Sequence, residues 1–133
     1  MEKTAIAAYE EKIGQWIAEH TEEFLKDLEQ LVSINSVKGT PQEGKPFGEG
    51  PAAVLDAALG LAERYGLSAR NYGYRIGEAR LNRGEKTLGM IAHLDVVPEG
   101  TGWSCPPFAL TRREDGYLVG RGVEDNKGAA IMG

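Results

Sequence analysis

The sequence predicts an α/β layered domain. Two amphipathic helical stretches open the chain, a pair of short strands follows, and then comes a strongly apolar run, Leu88-Gly89-Met90-Ile91-Ala92. That run is bounded by turn residues and reads as a buried strand. Helices, a strand pair and a central strand in this order point to layers packed around one core. The chain has 133 residues, enough for one domain with a modest core.

From about Thr4 to Val32 the pattern is helical. Ile6, Tyr9, Ile13, Trp16 and Ile17 recur at helical spacing, and Phe24, Leu25, Leu28, Leu31 and Val32 continue it. Thr21 stands between the two sets and either caps a second helix or lies mid-helix. The Trp16 and Phe24 faces are assigned to the core. His20 reads as an exposed polar residue near a helix junction rather than a ligand.

Asn35 to Pro51 is a loop, because its glycines and prolines forbid regular structure. Its length marks it as either a functional loop or a mobile one. Pro51 suits the first position of a second helix, Ala52 to Tyr65, with Val54, Leu55, Ala58, Leu59 and Ala62 on one side. Gly66 stops that helix. Strands are expected over Leu67 to Tyr74 and Ile76 to Leu81, and Asn82-Arg83-Gly84 turns the chain into the apolar run. After Pro98 the chain is irregular through Trp103. Phe108 to Thr111 and Tyr117 to Gly120 read as a hairpin around Glu114-Asp115-Gly116. Asn126 to Gly133 has the look of the first turns of a helix, too short to stand alone, so a truncated chain is expected.

Composition narrows the function classes. Apolar residues make up 41% and charged residues 26%, ordinary for a soluble globular protein. The net charge is −5 and the pI about 5.1, which disfavours nucleic acid or an anionic membrane as the main partner. The single cysteine, Cys105, rules out an internal disulfide and agrees with a cytoplasmic setting. No apolar stretch approaches the ~20 residues needed to cross a bilayer. Met1-Glu2-Lys3-Thr4 opens an acidic amphipathic segment, unlike a signal peptide.

The chemistry centres on His93 and Asp95. The apolar run leads directly into His93, and a carboxylate follows two residues later. Side chains alternate along an extended chain, so His93 and Asp95 can point the same way. That suits a metal-binding imidazole whose second nitrogen is held by a carboxylate. About thirty residues on, Gly120-Arg121-Gly122-Val123-Glu124-Asp125-Asn126-Lys127-Gly128 forms a second, glycine-bracketed acidic turn. The expectation is that His93 and Asp125 meet around a metal with Asp95 behind His93. A His-x-Asp pair alone is a weak signal. Two ligands are also too few, since catalytic zinc usually has three protein ligands plus water.

The run of motifs is more specific than any one of them. His93-Leu94-Asp95-Val96-Val97-Pro98, Gly102-Trp103, Pro107-Phe108, Asp115-Gly116-Tyr117-Leu118, Gly120-Arg121-Gly122 and Asp125-x-Lys127-Gly128 together resemble the N-terminal part of the co-catalytic zinc aminopeptidase and carboxypeptidase family. That family includes aminoacylases and dipeptidases. Phe47-Gly48-Glu49-Gly50-Pro51 and the helix after it look most like the PepV-type, or Xaa-His, dipeptidase branch. The resemblance runs from about Thr21 onward.

It implies a zinc-peptidase-like three-layer domain with a mixed central sheet flanked by helices, here truncated. Residues 1–133 would be the N-terminal part of the catalytic domain, without the later catalytic segment and the lid or dimerisation domain. His93 would bind one metal, and Asp125 would bridge two divalent ions through a turn whose Asp125-Asn126 peptide is cis. Asp95 would take the catalytic supporting role of orienting His93. The cofactors implied are two divalent metal ions, zinc first, with manganese or cobalt admitted by the same donors. The partner implied is a small peptide substrate, cleaved by a water that the two metals activate. The family's general base and remaining ligands lie beyond the bridging aspartate, so the chain alone is expected to be inactive. Glu124 is not promoted to that base.

Two other functions remain open on these residues: an N-acyl amino acid deacylase of the same family, and a non-catalytic metal-binding or interaction domain. Of the remaining residues, Cys105 reads as inert, and Trp103 and Phe108 as packing under the loop. Arg121 reads as structural at least as readily as it reads as a substrate contact. Lys127, at the start of a helix, calls for an acidic neighbour.

Overall fold

The computed structural model describes residues 2–133, with side chains from Ile6 onward. The side chains of the opening Met1-Glu2-Lys3-Thr4 segment lie outside that range. The chain is α/β as its pattern predicts. Helix α1 (Glu2–Val32) and helix α2 (Glu49–Arg64) precede a hairpin of β1 (Ser68–Tyr72) and β2 (Ile76–Arg80). A second, smaller hairpin pairs β3 (Thr111–Arg112) with β4 (Leu118–Val119). The wide turn Val123–Gly128 then leads into the short helix α3 (Ala129–Met132).

Helix α1 is a single helix. Thr21 lies within it and donates its hydroxyl to the Ile17 carbonyl at 2.6 Å, the back-bond that lets a threonine sit mid-helix. Among the described side chains of α1, burial is confined to the C-terminal half. Leu28, Leu31 and Val32 are fully covered, and Leu25 nearly so. Ile6, Tyr9, Ile13, Trp16 and Ile17 are exposed, which corrects the assignment of the Trp16 face to the core. Periodicity puts these residues on one stripe, but no described element lies over it. His20 stacks on Trp16 with ring centroids 4.2 Å apart and meets the Trp16 carbonyl through Nδ1 at 2.7 Å. It has no part in the site.

Helix α2 begins at Glu49, two residues before Pro51. It ends as Gly66 suggests: with φ at 79°, the Gly66 N–H donates to Glu63 and the Leu67 N–H to Ala62. This is the two-bond closure that satisfies terminal carbonyls. One side of α2, with Val54 and Leu61, joins Leu31 in the core. Its other side, with Leu55 and Leu59, covers Gly77 on β2 so closely that a Cβ there would meet both leucines. The two helices are also tied through Asp27, a buried carboxylate that accepts from Arg64 and from the Tyr65 hydroxyl. The glycine-rich loop is ordered on itself by bonds such as Gly39 N–H to Phe47 O at 2.9 Å.

One expectation fails here. Leu88-Gly89-Met90-Ile91-Ala92 is neither a strand nor buried. Leu88 is 87% exposed and Ile91 fully so. A central strand needs a partner on each edge and a layer on each face, and none of the described residues supplies them. The only parallel pairing among them is a single bridge between Val37 and Val96. Beyond it, Leu94 rejoins the core made by Leu31, Val54 and Leu61, as does Ile131 of α3.

Candidate metal centre

Two limbs of chain meet at the site. The first is the extended segment His93–Val96, anchored at Leu94 and Val96. The second is the turn Gly122–Gly128. Gly122 starts it with φ at 86°, a left-handed value that favours glycine. The Lys127 N–H closes it by donating to the Gly122 carbonyl at 2.9 Å. Asp125, with φ −114° and ψ 90°, is an extended residue inside this otherwise helical turn. The Asp125-Asn126 peptide is cis, as the resemblance implies.

The turn brings the expected residues together. His93 Nε2 lies 2.8 Å from Asp125 Oδ1. On the other side of the ring, Nδ1 lies 3.1 Å from the Asp95 main-chain carbonyl and 3.3 Å from its carboxylate. Asp95 thus stands behind His93, through its backbone oxygen as much as its side chain. A contact not foreseen from sequence crosses between the limbs: the His93 N–H donates to Asn126 Oδ1 at 3.2 Å. An asparagine beside the key aspartate was the available signal. Glu124 makes no ion pair among the described residues.

The proton inventory of the ring shows what this arrangement can hold. With Nδ1 surrounded by Asp95 oxygens, the proton of a neutral imidazole belongs there, and Nε2 presents a lone pair. That lone pair points at a carboxylate oxygen. Two acceptors 2.8 Å apart repel unless a cation or a proton lies between them. Burial pulls the His93 pKa down, but the hydrogen bond to Asp125, the Asp95 carbonyl and both carboxylate charges outweigh it. The net shift is upward, so a proton and a cation would compete for the same gap. A neutral imidazole nitrogen and a carboxylate are a donor pair suited to zinc, and the residues fit such an ion.

They do not complete its shell. No group of three or more histidine, cysteine or acidic side chains converges among the described residues. The donors also face solvent, the His93 side chain at 51% exposure and that of Asp125 at 84%. An ion held here would need further donors, and the surface is open to them.

Lys127 corrects another expectation. Its partner is no acid: Nζ, fully buried, donates to the Leu31 and Ile34 carbonyls, both at 2.8 Å. The Leu31 carbonyl belongs to the last turn of α1, where it also accepts from the Ile34 N–H at 3.3 Å, and the Ile34 carbonyl lies two residues beyond the helix end, where no helical donor reaches it. Burial lowers the ammonium pKa to about 8, while the carbonyls and the negative end of the helix favour its charged form. Arg121 is tied into the fold. It donates to the Glu99 carbonyl at 3.2 Å and lies over Trp103, whose indole N–H donates to the same carbonyl. Cys105 is a free thiol.

Comparison with known proteins gives a consistent answer. Peptidase family M20/M25/M40 matches residues 89–133, the span that holds both limbs. The chain is 38% identical over 109 residues to the Beta-Ala-Xaa dipeptidase of Lactobacillus delbrueckii subsp. lactis, covering 80% of this chain and 23% of that protein. It is 38% identical over 112 residues to the putative dipeptidase YtjP of Bacillus subtilis (strain 168), covering 83% of this chain and 24% of that protein. The crystal structure of human carnosine dipeptidase 1 superposes on 91% of this chain and 28% of its own, with a TM-score of 0.69 and 28% identity. The chain thus spans about a quarter of the length of the curated relatives it matches. Similarity in sequence and in three dimensions agrees, and the chain belongs to peptidase family M20/M25/M40.

Proposed function

We propose that this chain supplies the first two metal donors of a dipeptidase catalytic domain that hydrolyses small dipeptides. One observation carries the reading: His93 Nε2 and Asp125 Oδ1 converge to 2.8 Å from positions 32 residues apart, a pair of acceptors that a proton or a metal cation can hold together. The Beta-Ala-Xaa dipeptidase and YtjP match this chain over 109 and 112 residues.

His93 would give the imidazole donor, and Asp125, whose side chain is 84% exposed, would give the carboxylate donor. Asp95 fixes the ring's tautomer so that the Nε2 lone pair faces the cation. Asn126 holds the main chain at His93. When bound, a pair of divalent ions, zinc by preference, supplies the Lewis acidity that activates water and stabilises the oxyanion of a peptide under attack. The general base and the remaining donors come from residues outside these 133. A cytoplasmic location belongs to the same proposal.

The test has two parts. Cobalt titrated into the 133-residue chain should bind with visible absorption bands, and His93→Ala or Asp125→Ala should abolish them. The chain itself should not cleave a β-Ala-Xaa or other dipeptide. Dipeptide cleavage at an ordinary metal-dependent rate by the 133 residues alone, or cobalt binding unaffected by either substitution, would refute the reading.

A further inference from the structure

We propose that the segment Leu31–Val37, where α1 ends, is a clamp that sets the relative position of His93 and Asp125, with Ser36 and Lys127 as its positioning side chains. Its functional meaning rests on the metal-site reading above; its geometry does not.

The donors are poorly placed by packing of their own. Both side chains are half or more exposed, so their positions are inherited from the main chain of their limbs. Each limb is anchored to the same seven residues. On the His93 limb, the buried Ser36 hydroxyl donates to the Leu94 carbonyl at 2.7 Å. The Ser36 carbonyl accepts from the Val96 N–H at 3.3 Å, and Val37 pairs with Val96. The residues on both sides of Asp95 are thus held. On the other limb, Lys127 sits two residues after Asp125 and reaches Leu31 and Ile34 through its ammonium.

The limbs also touch each other where only a glycine fits. A Cβ on Gly122 would stand 2.8 Å from Val96 Cγ1 and 3.1 Å from Lys127 Cδ. Lys127, Val96 and Gly122 therefore form one packed unit resting on the clamp.

The choice of polar anchors is informative. Burying an amine is costly unless it is bonded, and an apolar side chain would fill the same space. Apolar packing is non-directional, whereas an ammonium held by two carbonyls fixes direction. The same holds for a serine hydroxyl aimed at one carbonyl. Such anchors suit a site whose donors must be placed to within about half an ångström.

The chain has two histidines, and His20 serves as an internal reference. In the metal-free 133-residue chain, two-dimensional NMR of the ring C–H groups reads His93 directly. Ser36→Ala and Lys127→Met should each move the His93 resonances toward those of an unstructured histidine, with His20 unchanged. Cobalt affinity should fall about tenfold or more in each. Tyr65→Phe removes a bond between α1 and α2. It should lower the melting temperature yet move neither His93 nor the affinity. If Lys127→Met does not fold, Ser36→Ala decides alone. The clamp is overturned if His93 is unmoved in the folded variants, or if Tyr65→Phe moves it as far. Absence of cobalt binding by the parent chain would count against the metal reading alone, because ring position is read without metal.

Discussion

At His93 a proton and a metal ion compete for one lone pair. The ring's pKa is raised above its ordinary value despite burial, because Asp125 and Asp95 surround it with oxygens. A histidine raised on folding stabilises the native state fully below its unfolded pKa, near 6.5. That stability is lost as pH rises through the higher folded value. Metal binding has the opposite sign, since the ion needs the deprotonated nitrogen. In the metal-free chain, NMR titration should give His93 a midpoint above 6.5, and Asp125→Asn should lower it. Cobalt affinity should weaken as pH falls through that midpoint; affinity independent of pH there would contradict the assignment of Nε2 as donor. The identity of the pair was legible in sequence from His93-x-Asp95 and the glycine-bracketed Asp125. The partners of Lys127 were not, because main-chain carbonyls carry no sequence signature.

Helix α1 divides into a half that stabilises the fold and a half that does not. Leu31 is fully buried and packs with Val54 and Leu61. Leu31→Ala should cost roughly 2–5 kcal/mol, as cavity-forming substitutions do. Ile13 is 57% exposed, and Ile13→Ala should change stability by no more than about 0.5 kcal/mol. Urea unfolding of the two variants makes the comparison; equal losses would mean that the N-terminal stripe is covered after all. Both halves have the same apolar repeat, so the repeat could not distinguish them. Periodicity reports which residues share a face, and burial depends on what is set against that face. The turn after α2 was legible because Gly66 acts locally, through its own φ.

Across the whole molecule, apolar surface is left open around the route into the site. Leu88, Met90 and Ile91 are exposed ahead of His93, though their composition is that of a buried strand. Ile91→Lys in the 133-residue chain should leave the melting temperature within the range of ordinary surface substitutions, about 0.5 kcal/mol. A loss of several kcal/mol would show that this residue is buried in solution. No helix among the described residues is long and apolar enough to cross a membrane. The chain spans about a quarter of the length of its curated relatives.

The sequence by itself determined the helices, the two hairpins, the α/β class and the residues that meet at the site. Each of these follows from local rules: hydrophobic period, glycine at positive φ, and the spacing of His93, Asp95 and Asp125. Tertiary structure alone decided which stripe of α1 is covered, that Leu88–Ala92 stays unpaired, and that Lys127 and Ser36 fasten both limbs to the end of one helix. Those outcomes depend on neighbours distant in the chain, and a neighbour's presence cannot be read from the residues that await it.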